Sequence, residues 1–166
     1  MKTLLIIRHA KSSWDNINTP DIERPLNDRG RKDAPAMARR VIKAGIHPDR
    51  LLSSPARRAR HTAELFAREF HVKETDIVIF NELYHAQPVA FQQVIAGLDD
   101  GDQSVALFSH NPGITAFVNT LTSVRLDDMP TCSVFAIKCE APTWSEFFSG
   151  DRKFLFFDYP KSAAAD

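Results

Sequence analysis

The feature that most constrains the fold is a regular alternation of strand-like runs with amphipathic helical segments. Runs typical of buried strands occupy residues 4–7, 51–53, 77–80 and 105–108, and each is followed by a segment with helical spacing of apolar residues. Parallel neighbours in a sheet need crossover connections, which are usually helices. We therefore predict a three-layer α/β/α sandwich with a mostly parallel central sheet.

Local signals place the ends of the predicted helices. Ser54-Pro55 is typical of a helix start, with Ser54 as the N-terminal cap and Pro55 in the first turn. Gly45 is a stop signal for the preceding helix, in which Pro35 must lie early or cause a kink. The helix after the third strand is expected to end near Gly101.

The last third of the chain has a different pattern. Two β-prone runs, 133–138 and 154–159, are expected to complete the sheet with antiparallel edge pairing. With 166 residues, of which 43% are hydrophobic, the chain is long enough to bury one substantial core. We expect a single domain over residues 1–160, followed by a frayed tail over 161–166.

Polar residues follow each of the four predicted parallel strands. Arg8-His9 follow the first, residues 54–58 with Arg58 follow the second, Glu82 follows the third and His110 follows the fourth. Ligands of open α/β sheets bind beyond the carboxyl ends of the strands, especially where the strand order reverses. We therefore expect these four groups to converge on one site.

The residue types in this set favour phosphoryl transfer. Guanidinium groups match the geometry and charge of phosphoryl oxygens. A neutral imidazole nitrogen can attack phosphorus, and the covalent intermediate splits one difficult displacement into two easier ones. Glu82, if its pKa is raised, is a candidate to protonate the leaving group and then to activate water.

These motifs resemble those of the histidine phosphatase superfamily, which includes the cofactor-dependent phosphoglycerate mutases. Residues 8–10 (RHA) resemble the Arg-His-Gly signature after the first strand, and residues 54–63 (SPARRARHTA) match the Ser-Pro-x-x-Arg-Ala-x-x-Thr-Ala segment. Glu82 stands for the downstream acid, and residues 109–111 (SHN) contain the second histidine. The motifs occur in the family's order and span nearly the whole chain, so the resemblance is highly specific.

The resemblance implies a phosphoglycerate mutase-like fold and a role for each motif residue. His9 would be the phosphorylated residue, Arg8, Arg58 and His110 would surround its phosphoryl group, and Glu82 would be the proton donor by approximate alignment. Ala10 in place of glycine, residues 11–15 (KSSWD) and residues 24–26 (RPL) resemble the small branch that contains the SixA-type phosphohistidine phosphatases. Beside these motifs, we predict phosphate or substrate binding by Ser12, Arg24 and Asn111.

The resemblance leaves several substrates open. The leading expectation is a phosphatase acting on phosphohistidine of a partner protein, because the chain has little room for the insertions with which the mutases and sugar-phosphate phosphatases of the superfamily recognise small substrates. A broad small-molecule phosphomonoesterase is the close alternative. A phosphoglycerate mutase is less favoured, because Asp15 stands where mutases have a phosphate-contacting asparagine. A non-catalytic phosphate-binding module is also less favoured, because both His9 and His110 are present.

Charge and cysteine content limit the cofactors and partners. Lys and Arg number 21, as do Asp and Glu, so no overall charge favours nucleic acid or a membrane, and we expect neither as a partner. The expected occupants of the site are a phosphorylated protein or small phosphorylated substrate and a phosphate or sulfate ion. No cofactor and no metal are predicted, since arginines and imidazoles supply the positive charge. Two cysteines without a disulfide framework and an N-terminal apolar run too short for a signal peptide predict a cytoplasmic location.

Overall fold

The computed structural model describes residues 1–162, which form six strands and four α-helices. In chain order the elements are β1 (Lys2–Arg8), α1 (Asp28–Lys43), β2 (Arg50–Ser53), α2 (Arg57–Phe70), β3 (Val78–Ile79), α3 (Pro88–Ala96), β4 (Ser104–Ser109), α4 (Gly113–Val118), β5 (Val134–Cys139) and β6 (Arg152–Asp158). Short 3-10 helices cover Asp21–Glu23, Glu74–Asp76 and Asn81–Leu83. The tail that the sequence predicts over 161–166 lies for the most part outside the described residues.

The sheet has the strand order β3-β2-β4-β1-β5-β6. The first four of these strands pair in parallel, and β5 and β6 extend the sheet by antiparallel pairing on the far side of β1. The chain moves away from β1 to form β2 and β3, then returns to insert β4 directly beside β1. The strand order therefore reverses between β1 and β4, the place where such sheets bind ligands.

Helices cover both faces of the sheet, which explains why β1 is apolar throughout its centre. Leu5 and Ile7 belong to one buried cluster with residues of α1 and α2 such as Met37 and Phe66. Leu4 and Ile6 belong to a second cluster, together with residues of α3 and α4. Alternate side chains of a strand point to opposite faces, so a strand covered on both sides is apolar at every position. The predicted α/β/α sandwich with its mostly parallel sheet is confirmed.

Two predicted elements differ in extent from the structure. The third strand was expected over residues 77–80, but only Val78–Ile79 pair with β2, and both are exposed because β3 lies at the edge of the sheet. The helix expected to end near Gly101 ends at Ala96, with Gly97 as its C-terminal cap. In both cases the prediction rested on apolar residues. These residues do not reveal that β3 lies at the edge of the sheet or that a turn ends α3.

The prediction that Ser54 caps the second helix is wrong. Helix α2 begins at Arg57, and its N-terminal cap is Ala56, which supplies no side-chain hydrogen bond. The Ser54 hydroxyl accepts a hydrogen bond from the Ala56 N–H at 3.2 Å and also contacts His110. Ser54 therefore belongs to the loop that enters the helix, and its side chain is turned toward the strand ends.

Candidate functional site

The site is built where β1 and β4 end side by side. Arg8 pairs with Ser109 in the parallel register, so that His9 and His110 are the next residues on the two strands. Their ring centroids lie 5.2 Å apart. Both histidines are buried, and both line the same cavity. The reversal of strand order thus brings together two imidazoles that are 101 positions apart in the sequence.

The cavity at these strand ends has a volume of about 330 Å³ and a strongly basic lining. Three arginines, a lysine and three histidines are among its lining residues, against a single carboxylate. Most of the predicted site residues are brought together here, with several that the sequence did not single out. The lining residues are Arg8, His9, Lys11, Ser12, Trp14, Asp21, Arg24, Arg58, His85, His110, Asn111 and Thr131.

One hydrogen bond joins the loop after β1 to α2, and a second one within α2 continues it to Arg58. The Ala10 N–H donates to Thr62 Oγ1 at 3.0 Å, and Thr62 Oγ1 in turn donates to the Arg58 carbonyl at 2.7 Å. The buried threonine of the 54–63 segment therefore holds His9 and Arg58 in register with each other. This gives the threonine of the motif a positioning role that its spacing alone does not reveal.

The loop after β1 also depends on a close backbone approach. A Cβ atom on Gly30 would lie 2.2 Å from the Lys11 carbonyl oxygen, far inside van der Waals contact. The first turn of α1 can therefore pack against residue 11 only because Gly30 has no side chain. At the same helix end, the Asn27 side chain caps α1 by accepting the Gly30 N–H.

The protonation of His9 is set by its own loop. His9 Nδ1 lies 2.7 Å from the Ala10 carbonyl oxygen, which can only accept, so Nδ1 carries the proton. Burial, together with the charges of Arg58, Arg8 and Arg24, lowers the pKa of His9 to about 3 against the opposing effect of the Ala10 hydrogen bond. The imidazole is therefore neutral near pH 7, and Nε2 holds an unprotonated lone pair.

His110 is neutral for similar reasons. Burial comes first among the causes, and with the neighbouring His9 and Arg58 it lowers the pKa of His110 to about 2. Its Nε2 lies 2.7 Å from the Ser54 hydroxyl oxygen. When that hydroxyl donates to Nε2, the proton of the ring is on Nδ1, which has no hydrogen-bond partner among the described residues. His110 then presents a free donor to whatever occupies the cavity.

Arg8 and Arg58 are each held by a hydrogen bond to a backbone carbonyl. Arg8 Nη1 donates to the Met129 carbonyl at 2.7 Å, and Arg58 Nη1 donates to the Asp21 carbonyl at 2.7 Å. Burial lowers the pKa of Arg8, but a guanidinium stays protonated throughout the neutral range. These hydrogen bonds fix the position of each guanidinium group. The Nε–H of Arg8 and that of Arg58 have no partner within residues 1–162.

Arg24 and Ser12 adjoin this pair on the loop between β1 and α1. Arg24 Nη1 donates to the Ser12 hydroxyl, and its guanidinium carbon lies 3.8 Å from the ring centroid of Trp14. Both Ser12 and Arg24 are buried, whereas Trp14 is largely exposed at the rim. The structure therefore adds a third cation to the cavity and stacks it on an aromatic face, which restricts its movement.

Asp21 is the carboxylate of the cavity, and the sequence reading missed it. Its Oδ2 accepts hydrogen bonds from Arg58 Nη2 at 3.1 Å and from the Tyr84 hydroxyl at 2.6 Å, while Oδ1 lies 3.3 Å from Arg24 Nη2. Burial alone would raise its pKa, but these hydrogen bonds and the charge of Arg58 lower the pKa of Asp21 to about 2. The available signal was an acidic residue three positions before Arg24, in the loop that follows Arg8 and His9.

Two of the predicted site residues fit less well. Glu82 lies in the 3-10 helix Asn81–Leu83, is exposed and is not among the residues that line the cavity. Its neighbour Leu83 is the residue that this short helix buries, which leaves Glu82 on the solvent side. Asn111 lines the cavity, but its amide donates to Asp128 at 2.7 Å and to the Met129 carbonyl at 3.1 Å. Its hydrogen-bond donors are therefore used within the protein.

The arrangement can bind a tetrahedral oxyanion and attack its central atom. Three guanidinium groups and one imidazole N–H surround a neutral imidazole whose Nε2 is unprotonated. Charge-assisted hydrogen bonds from guanidinium groups are strong and fit phosphoryl oxygens. Within residues 1–162, no group of three or more His, Cys, Asp or Glu side chains is placed to hold a metal ion. The part of the chain that the structure describes also has no helix long and apolar enough to cross a membrane.

The chain is similar to several known proteins in sequence and in fold. Residues 4–87 match the sequence profile of the histidine phosphatase superfamily (branch 1). An uncharacterized chloroplastic protein of Arabidopsis thaliana is 26% identical, with 89% of this chain and 71% of that protein covered. The crystal structure of the proposed phosphohistidine phosphatase SixA from Agrobacterium tumefaciens has 26% identity and a TM-score of 0.79, covering 96% of this chain and 98% of that one. The protein histidine phosphatase SixA complexed with tungstate has 22% identity and a TM-score of 0.81, covering 95% and 97%.

Proposed function

Since the chain belongs to the histidine phosphatase superfamily, we propose that it is a phosphatase that removes the phosphoryl group from phosphohistidine of a partner protein by way of a covalent intermediate on His9. His9 Nε2 attacks phosphorus, and the imidazole of the substrate leaves. Water then attacks the phosphoryl group on His9 and releases inorganic phosphate. The fold agrees with this proposal, since it is shared with structures named as SixA phosphatases.

The observation that carries the proposal is the state of His9. A nucleophilic imidazole must be neutral, and the nitrogen that attacks must have a free lone pair. The Ala10 carbonyl fixes the proton on Nδ1, and burial with the surrounding arginines keeps the ring unprotonated, with a pKa of about 3. An ordinary buried histidine in a core would not have three guanidinium groups around it.

Arg8, Arg58 and His110 are proposed to hold the phosphoryl oxygens. Their unpartnered nitrogen atoms are donors with no acceptor among the described residues. Buried donors normally have partners, so donors of this kind around one cavity are suited to bind an anion. A structure named as a SixA phosphatase is complexed with tungstate, a tetrahedral oxyanion, which supports phosphate or sulfate as an occupant here.

The open form of the cavity supports a protein substrate. Two long connections reach this end of the sheet, residues 9–27 and residues 119–133, and their helical structure is limited to Asp21–Glu23 within the described part of the chain. A site for a small phosphorylated metabolite normally encloses most of the molecule. A cavity that holds the phosphoryl group and leaves the rest outside suits a side chain presented on the surface of a protein.

We also propose that Glu82 is not needed as a proton donor for this substrate. The imidazole of phosphohistidine leaves easily, whereas the alkoxide of a sugar phosphate needs a proton. An exposed carboxylate outside the cavity is consistent with a substrate that needs little acid help. The activity is proposed for the cytoplasm, because Cys132 and Cys139 are both free and buried, as is usual in reducing compartments.

The proposal is tested by trapping the intermediate. Wild type and His9→Ala are incubated briefly with a substrate labelled on phosphorus, then quenched and mapped under alkaline conditions, because phosphohistidine is acid-labile. We expect label on His9 of the wild type and none in the variant. Undiminished turnover by His9→Ala would contradict the mechanism.

The substrate is tested separately with a panel. A phosphohistidine protein, sugar phosphates and a phosphoglycerate with its bisphosphorylated primer are compared by kcat/KM. We expect a marked preference for the phosphohistidine protein. Preference for sugar phosphates would make the protein a small-molecule phosphomonoesterase, and interconversion of phosphoglycerates would make it a mutase.

A further inference from the structure

The proposed mechanism gives no role to Asp21, although it is the best-connected side chain of the cavity. Its carboxylate accepts hydrogen bonds from Arg58, Arg24 and Tyr84, and its backbone carbonyl accepts a further one from Arg58. These contacts come from its own loop, from α2 and from the loop before α3. A carboxylate beside a phosphoryl site weakens phosphate binding by repulsion, so its placement there calls for an explanation.

Asp21 is not suited to be a proton donor. Despite its partial burial, the hydrogen bonds from Tyr84 and Arg58 keep the carboxyl group ionised well below neutral pH. A general acid needs a proton to give at the working pH. The carboxylate can instead accept a further hydrogen bond, because Oδ1 accepts only from Arg24 among the described residues and so has a second lone pair to offer.

The position of Asp21 matches the path of the leaving group. Displacement at phosphorus proceeds with the attacking and leaving atoms roughly in line. His9 is only 6% exposed and lies at the bottom of the cavity, so the leaving group departs toward the mouth. The Asp21 side chain, which is 45% exposed, and the largely exposed Trp14 are at that mouth. Asp21 therefore lies on the side from which the substrate enters and leaves.

We propose that Asp21 determines specificity for nitrogen-linked phosphoryl groups by accepting a hydrogen bond from the N–H of the departing imidazole. This inference rests on the proposed function. The reactive form of phosphohistidine carries a proton on the ring nitrogen that is not bonded to phosphorus. As His9 Nε2 forms its bond to phosphorus, the substrate N–P bond breaks and its electron pair stays on the departing nitrogen. The product is a neutral imidazole that keeps its N–H, so no proton is transferred to or from Asp21.

The same carboxylate acts against oxygen-linked substrates. A phenolate or alkoxide leaving group develops negative charge where Asp21 already has one, and no N–H is present to offset the repulsion. Opposite effects on the two substrate classes follow from one charge. Specificity of this kind does not require the enclosing insertions that recognise a whole metabolite.

The test compares Asp21→Asn with the wild type on phosphoimidazole and on p-nitrophenyl phosphate. We expect the ratio of kcat/KM values, nitrogen-linked over oxygen-linked, to fall by roughly tenfold, since hydrogen bonds to charged groups are worth about that factor. Activity on p-nitrophenyl phosphate should fall less than activity on phosphoimidazole, since the loss of the contacts with Arg58 and Arg24 affects both substrates. Asp21→Ser, which also removes the charge, should change the ratio in the same direction.

The pH profile provides a second measurement. In the wild type the carboxylate stabilises the protonated form of bound phosphoimidazole, so activity on that substrate should persist to higher pH than in Asp21→Asn. The charged and titratable groups that face Asp21 are Arg24 on its own loop, Arg58 on α2, Tyr84 before α3 and, more distantly, His110 after β4. All four residues are present in both proteins, but burial and Asp21 together raise the pKa of Tyr84, so the comparison is repeated with Tyr84→Phe in both. A shift of the alkaline limb that persists in that background can be assigned to the carboxylate.

Tyr84→Phe is the matched control, because it removes one hydrogen bond to Asp21 and leaves the charge in place. We expect it to preserve the substrate ratio. An equal loss on both substrates in Asp21→Asn, with an unshifted pH profile, would mean that Asp21 only holds Arg58 and Arg24, and would overturn the inference alone. Wild-type turnover of p-nitrophenyl phosphate without turnover of phosphoimidazole or phosphohistidine protein would overturn the proposed function as well.

Discussion

Strand β1 begins at the buried Lys2 and ends at Arg8, directly before the buried His9, and the polar groups at its two ends differ in their hydrogen-bond partners. At the start, Lys2 is 1% exposed, and its ammonium group donates to the carbonyls of Asp100 and Asp102 and lies 5.5 Å from the centroid of Trp144. At the end, Arg8 is held by one carbonyl while its Nε–H has no partner among the described residues.

This difference in hydrogen-bond partners distinguishes the charge of Lys2, which has a structural role, from the charge of Arg8, for which we propose a functional role. The Lys2 ammonium group is matched by acceptors that belong to the protein itself, so its position is complete without any ligand. Around His9, donors on Arg8, Arg24, Arg58 and His110 have no partner within residues 1–162. Such donors cost stability when they are buried, which is consistent with the proposed binding of an anion by these groups.

The largest effect is expected from His9→Ala. Loss of the proposed nucleophile should reduce kcat/KM by at least about a thousandfold. The free energy of unfolding at neutral pH should not show a comparably large decrease. The reason is that His9 is proposed to act in the reaction and not to stabilise the fold. Steady-state kinetics and urea unfolding measure the two quantities. His47→Ala, which changes an exposed histidine, is the control and should match the wild type in both.

Arg58→Ala is expected to have the next largest effect. Removal of one charged donor should lower kcat/KM by roughly 100-fold and weaken tungstate binding in calorimetry. Arg57→Ala is a matched control, since Arg57 is its exposed neighbour in the first turn of α2. Equal losses in the two variants would mean that the general charge of the helix, and not the Arg58 fork, matters.

Lys2→Met should give the opposite result to His9→Ala. Methionine keeps an unbranched apolar stem but leaves the carbonyls of Asp100 and Asp102 without their donor, so the free energy of unfolding should fall by about 1–3 kcal/mol. Activity should be unchanged at a temperature where the variant is folded. A loss of activity without a loss of stability would remove the distinction between the two ends of β1.

The smallest effect concerns pH. The pKa of His9 is about 3 in the folded protein, below its ordinary value of 6.5, so the unfolded chain binds more protons between these values. The stability contributed by neutral His9 is therefore present above pH 6.5 and is lost as the pH falls toward 3, by at most about 1.4 kcal/mol per pH unit. Urea unfolding at pH 7 and pH 5 should show a smaller decrease in His9→Gln than in the wild type. Identical slopes would contradict the assignment of a depressed pKa to His9.

The parts of the molecule predicted from sequence are those fixed by local pattern. The apolar runs and the residues that follow them placed β1, β2 and β4 and brought Arg8, His9, Arg58 and His110 to one cavity. The last two strands and their antiparallel pairing were likewise predicted from β-prone runs. These features depend on neighbouring residues in the chain, which a sequence displays directly.

The features that were missed depend on contacts between distant segments. In the sequence, Asp21 is indistinguishable from a solvated loop residue. In the structure it accepts hydrogen bonds from Arg58 and Tyr84, which lie 37 and 63 positions away along the chain. Ser54 has the sequence context of a helix cap, yet its hydroxyl contacts His110, which lies 56 positions further on. Glu82 follows a predicted strand, but that strand is short and at the edge, so the residue does not reach the cavity. Spacing within one segment carries no information about such contacts.

The register between β1 and β4 also determines which mutations this protein tolerates. Because Arg8 is level with Ser109, a single deleted residue within β1 would move His9 by about 3.3 Å and turn every later side chain to the other face of the sheet. An inserted residue near Asn18, in the exposed loop between β1 and α1, would change the rim and leave the two histidines where they are. Variation in length is therefore compatible with activity in the loop and incompatible with it in the strand, so the loop is where substrate range is free to diverge.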